Sequence, residues 1–381
     1  MYLEQLFLSD FRSYGEAEFS PAPHGITVVT GANGAGKTNL IEAVAYLSTL
    51  KSLRASPSAA LIRAGAPSGS AVLRSRVRHD ARLVTVDAEL HATGRDRVQV
   101  NGQVLRRTRD LLGALQVTVF SPDDLSLVKG PPAGRRSYLD DLLVALQPRR
   151  YDLLSELERV LKQRNALLKS ALAGRAGGGV GWRPGRPLPD DVKITLDVWD
   201  AKLVTVGESL VAARRELVDE LQPLVEGAYG SLASGSAAPS RLSTTLAYEV
   251  SWSGSLAAAL DAARPDDLRR GVTTVGPQRD DVALAIGALP ARTHASQGEQ
   301  RTLALALRLA GHRLLAAALD TPPVLLLDDV FSELDAARAD SLMANLPALS
   351  ETQAIVTTAG ELPSGASPAA WFRVEDGKLL V

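Results

Sequence analysis

A chain of 381 residues, 45% hydrophobic and carrying a formal net charge of −1, has room for two or three domains or one large discontinuous one. Mean hydropathy near zero describes an ordinary soluble globular protein, and the longest apolar candidate, around 303–319, is broken by Arg308, His312 and Arg313, short of the ~20 residues that span a bilayer. No cysteine is present and the five histidines are scattered, which removes disulfides, thiol nucleophiles and Cys-ligated zinc and disfavours a His-rich metal site.

The opening MYLEQLFLSDF carries Glu4 and Asp10 and lacks a basic stretch, so it does not read as a signal peptide, and a cytoplasmic protein is expected. Ile26 to Thr30 is a short β-branched run suited to a buried strand, and Leu40, Ile41, Val44, Ala45 and Leu47 then recur at helical spacing. Between them, Gly31-Ala32-Asn33-Gly34-Ala35-Gly36-Lys37-Thr38 matches the P-loop pattern in its proper strand–loop–helix setting, with Asn39 following. Glycines let backbone N–H groups close around phosphate oxygens at a helix N-terminus. Lys37 is expected to reach the β- and γ-phosphates of ATP, and Thr38 to ligate Mg²⁺.

From Lys51 to Asp110 there are twelve Lys/Arg against five Asp/Glu, a block that suits either a DNA-facing surface or a solvated basic face. Within it, Arg54 follows the P-loop helix. Arg74, Arg76 and Arg78 share one strand face, and Arg106, Arg107 and Arg109 cluster after a hairpin. These are the candidate DNA contacts, to phosphates rather than bases, because nothing resembles a major-groove reading helix. Period-two alternation at Val84, Val86, Ala88 and Leu90 predicts a half-buried strand, and Val98 and Val100 lead into an Asn101-Gly102 hairpin turn. QVTVF gives one more strand, ended by Pro122.

The middle of the chain changes character. An apolar helical stripe covers 149–169, a second helix is expected over about 191–221, and 173–189 and 230–240 read as loops. A mostly helical lobe at 126–271 is therefore expected to interrupt an α/β head made of 1–125 plus 272–381. Strand character returns in VLLLDD and QAIVTTAG. Asp328 is the candidate Mg²⁺ carboxylate, acting through water, and Asp329 the carboxylate that orients or deprotonates an attacking water. Ser296 and Glu299 fit a capping box at the start of a long Leu/Ala helix.

P-loop, Ser-x-Gly helix start, hydrophobic-Asp-acid, then Ser332-Glu333-Leu334-Asp335 is a motif order that resembles the ABC-type ATPases. Under that resemblance Ser296, Gln297, Gly298 and Gln300 belong to a signature motif. It would present its helix end to the γ-phosphate bound by a second copy, in a head-to-tail dimer. The resemblance narrows to the RecF family of recombination mediator ATPases. It is carried by LFLSDFRSY, GANGAGKTNLIEAV, KSLR, FSPDDLSLVKGPPAGRRSYLD, KQRNALLK, GPQRDD and LLLDDVFSELD, which together span nearly the whole chain.

What this implies is an SMC-like head without a long coiled coil, ATP and Mg²⁺ as cofactors, and ATP-dependent dimerisation on duplex and single-strand/duplex junction DNA. It also implies partnership with RecR in loading RecA at gaps, slow DNA-stimulated hydrolysis, and a place in replication, repair and the SOS response. Thr358 stands where ABC proteins place a switch histidine, no glutamine marks the Q-loop near Ser121, Gln278 replaces a family histidine, and Asp329 replaces the common glutamate. Arg12 suits an adenine stack or a structural ion pair. Alternatives are an ABC ATPase subunit of a membrane transporter and an interaction module with a structural nucleotide.

Overall fold

The structure, a computed structural model, describes residues 1–54, 56–173, 188–233, 241–345, 352–360, 362–363 and 366–380. Most of the loop expected over 173–189 and the 234–240 part of the second loop lie outside these residues. The chain divides into two compact units, one of Met1–Val128, Leu224–Ser243 and Ala295–Val381, the other of Lys129–Pro223 and Thr244–His294. Compared with the expected lobe at 126–271, residues 126–128 and 224–243 go with the first unit and 272–294 with the second.

In chain order the first unit begins with β1 (Tyr2–Phe11), β2 (Tyr14–Phe19), β3 (Gly25–Thr30), α1 (Lys37–Thr49), β4 (Ser70–His79), β5 (Arg82–His91), β6 (Arg97–Val100), β7 (Gln103–Val104), β8 (Val117–Phe120) and α2 (Leu125–Lys129). The second unit supplies α3 (Pro132–Leu146), α4 (Arg150–Ala173), most of α5 (Asp190–Ala233), β9 (Thr244–Glu249), α6 (Leu256–Arg270), β10 (Asp281–Ile286), β11 (Leu289–Pro290) and α7 (Ala291–His294). The first unit then resumes with α8 (Gln297–Ala318), β12 (Val324–Asp328), α9 (Ala336–Asn345), β13 (Gln353–Thr358), β14 (Pro368–Glu375) and β15 (Lys378–Leu380).

Two six-stranded sheets organise the first unit. One is antiparallel, in the order β2-β1-β4-β5-β6-β7; the other runs β15-β14-β3-β13-β12-β8 and is parallel except for β15. Alternation explains the first: Ala71, Leu73, Ser75 and Val77 point inward while Arg74 and Arg76 are exposed. Asn101 and Gly102 both take positive φ, 51° and 75°, as a two-residue hairpin turn requires. In the second sheet every residue of β12 and β13 is buried, the continuous apolar pattern of a strand covered on both faces.

Helix α1 packs against β12 and β13 on one side and β4 and β5 on the other. This is why Leu40, Ile41, Val44 and Leu47 are all fully buried: the helix fills the space between the sheets. The sheets are also pinned by the Gln353 side chain. Its Oε1 accepts from Leu3 N at 2.8 Å, and its Nε2 donates to Leu3 O at 2.9 Å and Ala22 O at 2.8 Å.

The second unit is mostly helical. It contains a three-stranded antiparallel sheet, β11-β10-β9, beside its helices. Helix α5 also runs past the expected stop near 221, through Pro223, to Ala233. Pro223 removes one backbone donor, yet Leu221, Val225, Ala228, Tyr229 and Leu232 continue a buried stripe on both sides of it, and that packing outweighs the lost bond. Arg164, fully buried, ties α4 to its neighbours: it donates to Asp200 at 2.5 Å, to Asp267 at 2.6 Å and to Thr273 at 2.9 Å.

A candidate nucleotide site and its second motif

The loop between β3 and α1 is fixed by its glycines. Gly31 has φ 155°, and a Cβ there would lie 2.5 Å from Val374 O; Gly36 has φ 119°, and its Cβ would meet Ser13 Oγ at 2.5 Å. Side chains therefore cannot occupy the two places where the loop leaves the strand and enters the helix. Tyr14 OH donates to Gly36 O at 2.9 Å and Asn39 Nδ2 to Ser13 Oγ at 2.9 Å, so the β1–β2 turn buttresses the loop. Among the described residues nothing lies within 4 Å of where a Gly34 Cβ would stand, and Ala32, Asn33 and Ala35 complete an open arch. The N-terminal N–H groups of α1 lack intrahelical acceptors, and they and the helix dipole favour an anion.

Lys37 Nζ donates to Gly31 O at 2.8 Å and Ala32 O at 3.1 Å, which holds its charge over the arch. Thr38 Oγ1 donates to Asp328 Oδ1 at 3.0 Å, across 290 residues of sequence. Asp328 ends β12, is buried, and takes a second hydroxyl from Thr357 Oγ1 at 2.7 Å. Burial pushes the Asp328 carboxyl above the usual range; the two hydroxyl donors oppose the rise, Asp329 adds to it, and Arg54 acts against it. Asp329 sits in left-handed backbone, φ 51°, with its N–H held by Thr357 O at 3.1 Å and Thr357 Oγ1 at 3.0 Å. Its Oδ1 has no hydrogen-bond partner among the described residues. Thr357 thus arranges both carboxylates, a role sequence reading missed; its one signal is the Thr-Thr pair closing a buried strand.

The second motif opens α8. Ser296 is the N-cap: its Oγ accepts from Glu299 N at 3.3 Å, and Ser296 N donates to Glu299 Oε2 at 2.7 Å, the reciprocal capping box. Ser296 and Gln297 are exposed, Gly298 half-buried and Gln300 buried. A Cβ on Gly298 would come within 3.3 Å of Arg338 Nη1, so that glycine also seats a guanidinium. Ser332 Oγ donates to Asp329 O at 2.8 Å, joining the segment after β12 to the carboxylate pair.

Arg12 is the ion-pair alternative: its Nε and Nη2 donate to both oxygens of fully buried Glu42, at 2.8 and 3.1 Å. Arg54 is exposed and within electrostatic reach of Asp328. Arg76 and Arg78 both pair with Glu4, at 3.1 and 2.8 Å, while Arg74 stands opposite Asp87 in the β4–β5 register. Arg106 and Arg107 are exposed; the Arg109 side chain lies outside the described residues. Thr358 Oγ1 is turned to Gly360, donating to its carbonyl and accepting its N–H. Near the Q-loop position, Asp124 ion-pairs with Arg308 of α8 at 2.7 Å.

Comparison with known proteins agrees with this architecture. The model of the RecF/RecN/SMC N terminal domain family matches residues 2–364. The DNA replication and repair protein RecF of Frankia alni is 45% identical over 376 residues, covering 95% of this chain and 94% of the relative. That of Streptomyces avermitilis is 46% identical over 369 residues, covering 94% of each. Among solved structures, the recombination mediator protein RecF with ATP superposes with a TM-score of 0.84 at 27% identity, covering 100% of this chain and 97% of that one. An Smc head from Pyrococcus furiosus, at 18% identity and a TM-score of 0.56, shares the fold.

Proposed function

Because the chain belongs to the RecF family of SMC-like ABC ATPase heads, DNA replication and repair proteins, we propose that it is an ATP-gated DNA clamp acting in recombinational repair. The observation that carries this reading is the meeting of Thr38 and Asp328 beneath the P-loop, at 3.0 Å. The first unit is read as the ATPase head and the second as the lobe inserted in it.

The roles follow from the geometry. Backbone N–H groups of 31–38 wrap the phosphates of ATP, and Lys37 sets its charge against the β- and γ-phosphates. Thr38 Oγ1 and, through water, Asp328 would hold Mg²⁺. Among the described residues no group of three or more His, Asp or Glu could bind a metal by itself, so phosphate oxygens and waters would fill the remaining positions. Bound there, Mg²⁺ supplies neutralisation of phosphate charge. Asp329 Oδ1, without a hydrogen-bond partner among the described residues, accepts a hydrogen bond from the attacking water and takes its proton. Ser296, Gln297, Gly298 and Gln300 meet the γ-phosphate of a second copy, which closes a head-to-tail dimer.

DNA is gripped through phosphates. Arg106, Arg107 and Arg54, which are exposed, are the strongest donors; Arg74, Arg76 and Arg78 contribute less because acids on neighbouring strands already face them. Duplex and single-strand/duplex junctions are the substrates, RecR the partner in RecA loading, and the cytoplasm the location. Slow, DNA-stimulated hydrolysis ends the clamped state. No described helix is long and apolar enough to cross a membrane, and nothing favours a transporter subunit.

Gel filtration with ATP and Mg²⁺, with and without junction DNA, tests the reading. A dimer that forms with ATP and is lost in Lys37→Met is expected; a chain that stays monomeric and off DNA at saturating ATP refutes the clamp.

A further inference from the structure

The start of α8 poses an electrostatic problem. Glu299 completes the capping box, but its carboxylate stands in the first turn, at the helix end that should attract a phosphate. A formal negative charge there repels the ligand that the helix dipole draws in. The structure resolves this locally. Arg241 Nε donates to Glu299 Oε1 at 2.5 Å and Arg241 Nη2 to Glu299 Oε2 at 2.9 Å, a bidentate pair in which both side chains are half-buried. Arg338 also approaches this end, over Gly298, but Asp335 pairs it at 2.8 Å. Tyr229, fully buried, stands beside the pair within the field of Glu299, Arg241 and Arg338.

We propose that Arg241 is a positioning residue of the signature motif, cancelling the Glu299 charge so that Ser296 and the first N–H groups of α8 can receive the phosphate of a second copy. The proposal rests on the reading of Ser296–Gln300 as that motif. It assigns Glu299 an indirect part: one of its oxygens holds the N-cap N–H while both oxygens are held by Arg241. Removing the arginine leaves the cap formed and its charge exposed. Removing the charge as well, with Glu299→Gln, keeps an amide oxygen for Ser296 N and makes the arginine dispensable.

The test is a double-mutant cycle on the full chain, each variant first checked for an unchanged thermal transition. Three readouts are taken: binding of a fluorescent ATP analogue to dilute protein, ATP-driven dimerisation by light scattering, and hydrolysis at saturating ATP. Arg241→Ala is expected to bind the analogue as wild type does, but to need about tenfold or more protein to dimerise and to hydrolyse correspondingly slowly. Arg241→Ala combined with Glu299→Gln is expected to recover most of the pairing, and Arg241→Lys part of it. Wild-type pairing in Arg241→Ala overturns the proposal, as does a double variant no better than the single one, since a merely structural arginine would not be rescued by removing its partner's charge. Ser296→Arg separates the levels: it should bind the analogue and fail to pair. If it pairs normally, the signature reading itself falls, whatever Arg241 does.

Discussion

Single side chains carry the chemistry, and their surroundings say what each loss would do. Asp329 has an oxygen without a partner among the described residues and a backbone fixed by Thr357, which suits the proposed role of general base better than a role in holding the fold. Asp329→Asn keeps the shape and removes the proposed base. Hydrolysis should fall by about 10²–10⁴-fold while ATP-bound dimers persist, read by single-turnover kinetics and light scattering. A wild-type dimer lifetime would count against that role. His312 makes a different prediction. Fully buried on α8, with Nδ1 at 3.0 Å from Thr118 Oγ1, it is pushed down to about 4 by desolvation and then by Arg313. The unfolded chain therefore binds the proton first as pH falls. Stability is complete above about pH 6.5 and declines towards pH 4, by roughly 2–3 kcal/mol for this group. His312→Asn should flatten that part of the stability–pH curve, measured by urea unfolding at several pH values.

Elements were legible where one physical constraint dominated. The P-loop strand and helix, the Asn-Gly hairpin and the buried β12 could be read because glycine geometry, turn chemistry and unbroken apolar runs each demand one answer. The α8 cap was legible for the same reason, since Ser296 and Glu299 are three residues apart. What could not be read were pairings between distant residues: Thr357 under both carboxylates, Arg12 on Glu42, Arg241 on Glu299, and the β9–β10 pairing that makes a sheet in the second unit. Such partners leave no local period. Pro223 misled because its local penalty is plain in the sequence and the packing that outweighs it is not. Gln353 tests how the elements are joined. Gln353→Ala would strand the N–H and C=O of Leu3 in a buried setting and should cost about 2–3 kcal/mol, read as a lower urea midpoint with an unchanged slope.

Across the whole molecule, each unit has its own buried polar anchor. In the second, Arg164→Ala takes away the cation that pairs Asp267, while Asp200 keeps Arg264 at 2.8 Å, a loss of about 3 kcal/mol. Tryptophan fluorescence, with Trp199 on α5 and Trp252 after β9, should report an earlier denaturant transition, and an unshifted midpoint would show that the network is dispensable. In the first unit, the order of the strands has a consequence in time. The P-loop strand β3 lies between β13 and β14, whose residues are 353–358 and 368–375. During synthesis Ile26, Val28 and Val29 therefore leave the ribosome long before either neighbour exists, with both edges of the strand unpaired. The nucleotide loop, first among the motifs to be made, is among the last to gain the strands that flank it. For most of translation the nascent chain must wait, sticky and unable to hold ATP.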